Sequence, residues 1–298
     1  MIVGIETGGT KVLVGAVSEE RPRVLVRDVR IPTTGPDETT AAINAFIEEV
    51  AELEPVRALG VASFGPVNVE PGKPRWGWVT GTPKPGWADT DLVGRIRVSA
   101  HVPTAMLSDV ASAALGEQTL GAGAGAARVG YATFGTGVGV GLSFDGRVLH
   151  GNGYPEMGHI LVRRHPGDDY AGSCPFHGDC LEGLASGPAV IGRWGSDASS
   201  LEGDARARAV DVLGFYVAQL AAAAAYTTGV ERFIVGGGVL KTPGLFDATV
   251  AQLPGVTGGP GASHAASLDE PDFLASPALG DHSGVWGAIT AARELLAR

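Results

Sequence analysis

Several residue types are scarce in this chain of 298 residues, and each scarcity narrows what the protein can be. Cysteine is nearly absent. Cys174 and Cys180 are the only two, too few for a disulfide framework. Basic residues are outnumbered, 22 Lys and Arg against 32 Asp and Glu, for a net charge of −10. That balance excludes the clustered basic footprint of a nucleic-acid binder, although a local lysine or helix dipole can still draw an anionic substrate. Charged residues make up 18% and hydrophobic residues 44%, an ordinary globular composition. No apolar run reaches membrane-spanning length without a Gly, polar or charged interruption, so no transmembrane helix is expected. The N-terminus lacks the basic, apolar and cleavage regions of a signal peptide, and a cytoplasmic location is the expectation. Neither GxxxxGK[ST] nor a strict GxGxxG occurs, which disfavours the P-loop and the dinucleotide fingerprint.

Glycine, by contrast, is abundant, with 46 residues. It is placed with purpose in two turns of the same design. The first is Ile2-Val-Gly-Ile-Glu6-Thr7-Gly8-Gly9-Thr10-Lys11 with the apolar run that follows it, and the second is Tyr131-Ala-Thr-Phe-Gly135-Thr136-Gly137-Val-Gly139. Each joins two apolar strands through a tight Gly/Thr turn whose backbone N–H groups can converge on an anion. A bare Gly-Gly hairpin would explain one such turn. The acid Glu6, the hydroxyls of Thr7 and Thr10, the lysine Lys11 and the second copy argue for a duplicated fold whose turns hold a polyphosphate. A third glycine cluster, Gly236, Gly237 and Gly238, ends another apolar strand.

Strands are expected at 2–5, 12–17, 24–31, 56–62 and 104–107, and from 233 into the glycine turn at 236–238, and helices at 39–52, 110–118, 205–228 and 284–297. Asp37 is the expected cap of the first helix. Residues 76–87, with three tryptophans, read as an irregular loop, and 255–262 as a flexible Gly-rich connection. The Gly/Ala run 121–127 marks a domain junction, and 151–186 reads as loop-rich. Strands alternate with helices in both halves, so the class is α/β in two domains, 1–118 and 119–283, with helix 284–298 closing onto the first.

Asp109 follows an apolar strand and opens a helix. It suits a helix cap or dipole partner, and equally a general base at a strand's C-terminal end. Cys174-Pro-Phe-His177-Gly-Asp-Cys180 has the spacing of a tetrahedral zinc corner, with His159 and His165 as candidates for the fourth ligand. Four protein ligands would make that zinc structural. Glu156, His159 and Glu182 flank this segment, and together suit the vicinal hydroxyls of a sugar. Trp76, Trp78 and Trp87 suit packing or a dimer contact, or else a stacking platform.

These residues together resemble the ROK family of sugar kinases, which has the two-domain actin-like ATPase (ribonuclease H-like) fold with a duplicated β-sheet core. The resemblance runs along essentially the whole chain. Most members carry Asp at the Glu6 position. Glu there resembles the fructokinase branch, as do Thr82-Pro-Lys-Pro-Gly-Trp87 and the stretch from Cys174 through Leu181-Glu182-Gly-Leu-Ala-Ser-Gly-Pro188. The wider family commonly gives zinc three cysteines and one histidine, and here His177 replaces a cysteine.

The resemblance implies ATP-dependent phosphorylation of a free hexose, D-fructose to fructose 6-phosphate being the leading expectation, with mannose, glucose or an amino sugar as alternatives. It implies Asp109 as base and Glu156, His159 and Glu182 as sugar ligands. His159 would also complete the zinc site, one ring nitrogen to each. Gly8, Gly9, Thr10, Lys11, Gly135, Thr136 and Gly137 match nucleotide-phosphate positions, and Gly236, Gly237 and Gly238 the adenosine side. Mg²⁺ would bridge the phosphates, held by Glu6 directly or through water. The two domains are expected to close over the sugar, and a homodimer is implied. The family often has Asn two residues after the catalytic Asp, where this chain has Ala111, so a neighbouring hydrogen bond or water must replace it. Sugar-responsive regulators of this family carry a DNA-binding module ahead of the first phosphate strand. Here Met1 abuts that strand, and this reading is held well below the kinase, with a non-catalytic sensor as a third.

Overall fold

The computed structural model describes residues 1–99, 101–150, 153–259 and 265–297. The chain forms two compact units. The first joins Met1–Ala124, Gly146–Tyr154 and Ala278–Arg298, and the second joins Gly125–Asp145 and Pro155–Pro277. The crossover after Ala124 falls inside the Gly/Ala run.

The first unit opens on β1 (Ile2–Thr7), β2 (Lys11–Val17) and β3 (Arg27–Pro32), followed by α1 (Pro36–Leu53) and β4 (Ala58–Ser63). A small antiparallel pair, β5 (Trp78–Val79) and β6 (Thr90–Asp91), then leads through α2 (Leu92–Arg95) to β7 (Thr104–Ser108) and α3 (Asp109–Leu120). The sheet order is β3-β2-β1-β4-β7. β1 and β2 are antiparallel, as a tight turn requires, while β1–β4 and β4–β7 are parallel and joined by crossovers. β4 is buried at every position, the pattern of a strand covered on both faces.

In the second unit come β8 (Arg128–Phe134) and β9 (Val138–Phe144) and, after the short β10 (Arg147–Val148) of the first unit, α4 (Leu181–Ala185), α5 (Gly187–Trp194) and α6 (Gly203–Thr228). β11 (Arg232–Gly236), α7 (Leu245–Thr257) and β12 (Leu274–Ala275) complete it. Within this unit the strand order runs β9-β8-β11-β12, again an antiparallel hairpin extended by parallel strands. The hairpin-then-parallel plan is thus used twice.

α6 is long and apolar enough to cross a membrane by length and composition alone, but most of it is buried inside this unit. Leu213, Tyr216, Leu220 and Ala221 are fully covered in the core around Phe134, Leu184 and Phe233. Each such Leu or Phe contributes about 1.5–3 kcal/mol by leaving water. α8 (Ser283–Leu296) returns to the first unit, where Val285, Ile289 and Ala292 pack on Ile2, Leu13 and Ala58.

Some local expectations need correction. Gly35, not Asp37, is the N-cap of α1, because Pro36 takes the first helical position and places Asp37 inside the first turn. Ser108 caps α3 by accepting the Ala111 N–H at 3.3 Å, so Asp109 is the first helical residue rather than the cap. Residues 255–257 continue α7 past Pro254 rather than forming a loose connection, and 260–262 lie outside the described residues. Within 76–87, Trp78 and Val79 pair with β6. In 151–186, Gly151 and Asn152 lie outside the described residues, while Leu181–Ala185 is helical.

Candidate active site

In the first unit the β1–β2 turn is closed by the Gly8 N–H donating to the Lys11 carbonyl at 2.8 Å. Its carbonyls are held by the protein. Thr33 Oγ1 donates to Gly8 O at 2.8 Å, the Thr33 N–H to Thr10 O at 3.1 Å, and Lys84 Nζ to Gly9 O. The N–H groups of the exposed Gly9 and Thr10 have no partner among the described residues. Such a turn has its acceptors occupied and its donors available, the arrangement that takes an anion. Lys11 Nζ is paired with Asp281, just ahead of α8.

Glu6, next to last in β1, has its carboxyl against Gly284, where a Cβ would fall 2.3 Å from Cδ. A side chain at 284 would displace the carboxyl from this position. Glu6 Oε2 is buried without a hydrogen-bond partner among the described residues. Burial and the Asp109 carboxylate push Glu6 up to about 8; Lys11 opposes them, Asp281 adds a smaller push, and the Val285 N–H draws it down. The bare chain therefore keeps a proton on Glu6 near neutral pH. A buried orphan oxygen, in a carboxyl that burial and a second carboxylate keep protonated, fits a group that a hard dication would ionise.

Asp109 stands where β7 gives way to α3, with its Oδ1 2.8 Å from the Val110 N. Sheet parallelism puts the C-terminal ends of β1, β4 and β7 at one edge, so Glu6, Ser63 and Asp109 share it. Thr7 Oγ1 donates to Ser63 Oγ at 2.9 Å and locks the first two of these strand ends together. Below them Glu117, wholly buried on α3, accepts from Ala122 N, Ala278 N, Leu279 N and Ser283 Oγ at 2.7–3.1 Å. It fastens the start of α8, and with it Asp281, to the helix that carries Asp109.

The second unit repeats the turn. Gly135 N donates to Gly137 O at 2.9 Å, and Gly187 N, at the start of α5, donates to Gly135 O at 2.7 Å. The Thr136 and Gly137 N–H groups have no partner among the described residues. Glu182 Oε2 accepts the Val138 N–H at 3.0 Å, so one expected sugar ligand braces this turn. Gly237 has φ +94, and a Cβ there would lie 2.4 Å from the Phe134 carbonyl. Only glycine permits this contact, which brings Gly236, Gly237 and Gly238 beside the turn at 135–137.

His159, Cys174, His177 and Cys180 come together with one ligand atom from each, all within 4.8 Å of one another. His159 Nδ1 is 3.5 Å from Cys180 Sγ and 3.8 Å from Cys174 Sγ, and His177 Nδ1 is 3.8 Å from Cys174 Sγ. A tetrahedral centre with metal–donor bonds of about 2.0–2.3 Å spaces its donors roughly 3.3–3.8 Å apart. The four donors therefore fit zinc, and both cysteines are free of disulfide. Burial pushes the bare Cys180 thiol up, whereas a bound dication would hold both sulfurs as thiolates. His165, the other candidate ligand, is elsewhere, with its Nε2 3.2 Å from Asp211 Oδ2.

Because Nδ1 of His159 faces the sulfurs, Nε2 is the ring atom left for another partner. Glu156, at the start of the same turn, is raised by partial burial, lowered by His159 and raised by Glu182. Glu156 thus lies within electrostatic reach of both other expected sugar ligands.

Trp87 is wholly buried, with Nε1 donating to Thr34 O at 2.8 Å and its ring edge-on to Phe64 at 5.3 Å. It packs, and is no open stacking platform. Sequence reasoning missed Asp281 as the partner of Lys11, and no local signal exists across that separation. It also missed Asp168, whose buried carboxylate binds Arg193 Nε and Nη2, each at 2.9 Å, and Tyr216 Oη at 2.6 Å.

The repeated hairpin sheets define the class. This is the actin-like ATPase fold found in ROK sugar kinases. The ROK family model matches residues 2–294, and the chain belongs to the ROK family. It is 37% identical to a putative fructokinase of Bacillus subtilis over 99% of this chain and 96% of that one. It is 36% identical to a fructokinase of Zymomonas mobilis over 97% of this chain and 95% of that one. Among solved structures, the ROK hexokinase of Thermus thermophilus matches at a TM-score of 0.78 and 25% identity, over 100% of this chain and 99% of that one. A ROK family glucokinase of Streptomyces griseus in complex with glucose and AMPPNP matches at 0.72 and 22%, over 98% and 99%.

Proposed function

We propose that the protein is an ATP-dependent hexose kinase that converts D-fructose to fructose 6-phosphate. The observation that carries this reading is the end-to-end match to relatives named fructokinase, in a chain whose two hairpin turns each present N–H groups without a partner among the described residues. The turns at 8–10 and 135–137, with Lys11, bind the nucleotide phosphates, and Gly236, Gly237 and Gly238 take the adenosine side. Their amides and the lysine stabilise charge on the transferring group. Glu156, His159 and Glu182 take the sugar hydroxyls, and Asp109 accepts the proton of the attacking one. Mg²⁺, when bound, would neutralise charge across the phosphates, with Glu6 as its protein oxygen, directly or through water.

His159, Cys174, His177 and Cys180 would hold a structural zinc. Its contribution is to tie together a segment with little core of its own, and through His159 to orient a sugar ligand. The family resemblance supports a homodimer.

An ATP-coupled assay across fructose, mannose, glucose and amino sugars tests the reading. Fructose is expected to give the highest kcat/KM. Preference for another hexose would move the substrate within the class, and no transfer to any sugar would leave a non-catalytic sensor. Relatives named glucokinase, matched over 64% of this chain, make glucose the second sugar to try.

A further inference from the structure

Lys84 belongs to none of the groups assigned above. It stands in Thr82-Pro-Lys84-Pro-Gly-Trp87, a short segment held at both ends. At one end the Thr80 N–H donates to the Pro66 carbonyl and the Thr82 N–H to the Thr80 carbonyl, each at 2.8 Å, and Thr82 Oγ1 accepts the Lys84 N–H at 3.3 Å. At the other, Trp87 is wholly buried and tied to Thr34 O. The backbone is thereby fixed, and the half-buried side chain reaches the first phosphate turn, where Nζ donates to the Gly9 carbonyl.

The charges around that turn are unequal. The Lys11 ammonium is paired with Asp281, and Arg30 approaches the same carboxylate at 3.8 Å. Lys84 has no carboxylate within 4.0 Å among the described residues. An ammonium has three N–H donors, and Gly9 O uses one. A compensated lysine on the strand and an uncompensated one over the turn are not equivalent towards an anion.

We propose that Lys84 is a phosphate-contacting residue of the nucleotide turn, its ammonium taking an oxygen of the polyphosphate held by residues 8–10. The inference rests on the kinase reading for the identity of the ligand. It adds to Lys11 a second cation, supplied from outside the hairpin, whose charge no carboxylate among the described residues offsets as Asp281 offsets that of Lys11. The tie to Gly9 O keeps the ammonium at the turn before the ligand arrives, so little side-chain freedom is lost on binding.

The test is the affinity of a non-hydrolysable ATP analogue, measured by calorimetry with Mg²⁺, for the parent chain and three variants. Lys84→Met keeps the apolar stem and loses charge and donors. Lys84→Gln keeps a donor for Gly9 O without the charge. Lys84→Arg keeps both. Met and Gln are each expected to weaken the analogue about 10-fold to 100-fold, the worth of a charge-assisted hydrogen bond, and to flatten its salt dependence. Arg is expected to stay within about threefold of the parent, and hexose affinity and thermal midpoint to stay level in all three. Parent-like affinity in Lys84→Gln would show that the lysine only pins the turn, and would overturn the proposal. So would parent-like affinity in Lys84→Met. Analogue binding in a parent that phosphorylates no sugar would sink the kinase reading while leaving the Lys84 contact standing. A parent that binds no nucleotide would sink both.

Discussion

Replacing Arg193 by Leu should destabilise the second unit by an amount the structure allows to be worked out. Arg193 lies on α5 and is 8% exposed, and its partner Asp168 is 2% exposed. The guanidinium gives Asp168 two hydrogen bonds of 2.9 Å and also donates from Nη2 to the Leu184 carbonyl at 2.9 Å. Its plane lies over Tyr170 at 4.7 Å and Trp194 at 4.8 Å. Leucine fills part of that space but leaves a buried carboxylate without a cation, which costs about 3–5 kcal/mol. Tyr216 Oη at 2.6 Å and Tyr170 N at 3.2 Å remain, which places the expected loss near the lower bound.

About 3 kcal/mol corresponds to roughly 6–12 °C in thermal midpoint for a unit of this size. Trp194 makes fluorescence a direct readout. Burial alone would raise Asp168, but the Tyr216 hydroxyl and Arg193 outweigh it and hold the carboxyl below its usual 3.8. The stabilisation is therefore present above that value and fades as pH falls through the lower folded one. The gap between parent and variant should be full at pH 7 and shrink in acid. Replacing both Asp168 and Arg193 by Leu should recover much of the loss. An Arg193→Leu midpoint within about 1 °C of the parent at pH 7 would refute the reasoning.

Asp109→Asn should lower kcat by about a thousandfold or more while hexose affinity by calorimetry changes little, because the amide keeps the shape but cannot take the proton. Substantial residual turnover would remove Asp109 from that role. Cys174→Ser, or treatment with a strong chelator, should release one zinc per chain by elemental analysis and lower the midpoint of the second unit. A metal-free parent with an unchanged midpoint would count against the zinc site. Glu182→Gln should raise the hexose KM about tenfold or more, and also raise the nucleotide KM because Glu182 braces the Val138 amide. Without Mg²⁺, Glu6→Gln should match the parent's stability near pH 4 and exceed it near pH 9. The carboxyl ionises at its ordinary 4.5 in the unfolded chain but at about 8 in the folded one, so the parent loses stability as pH climbs from the first value through the second. Equal stability at both pH values would contradict the burial of Glu6.

Much of the fold was legible because its signals are local. Alternating apolar strands around Gly8-Gly9 and Gly135-Thr136-Gly137 need only short-range backbone geometry, and both hairpins formed at the expected places. The Cys174, His177 and Cys180 spacing is likewise a property of one loop, closed by paired Cys174 and Gly178 backbone bonds. Element ends were less legible. At α1 the choice between Gly35 and Asp37 as cap turns on Pro36, and at α3 Ser108 competes with Asp109 for the same position.

Taken alone, the sequence determined the repeated hairpin plan, the glycine turns and three of the four candidate metal ligands, because each depends on residues within a few positions of one another. The tertiary structure decided the rest. It brought His159, which only the family resemblance had named over His165, to the sulfurs, since the packing of the turn at 157–159 against α4 sets that imidazole among them and leaves the other beside Asp211. It paired Lys11 with Asp281 and brought Lys84 to Gly9 across long stretches of chain. It also shifted Glu6 from an ordinary turn acid to a buried carboxyl that keeps its proton, since desolvation and a neighbouring carboxylate exist only once β1, α3 and α8 have packed. Long-range charge and burial have no period in a sequence. They arise when distant segments exclude the same water.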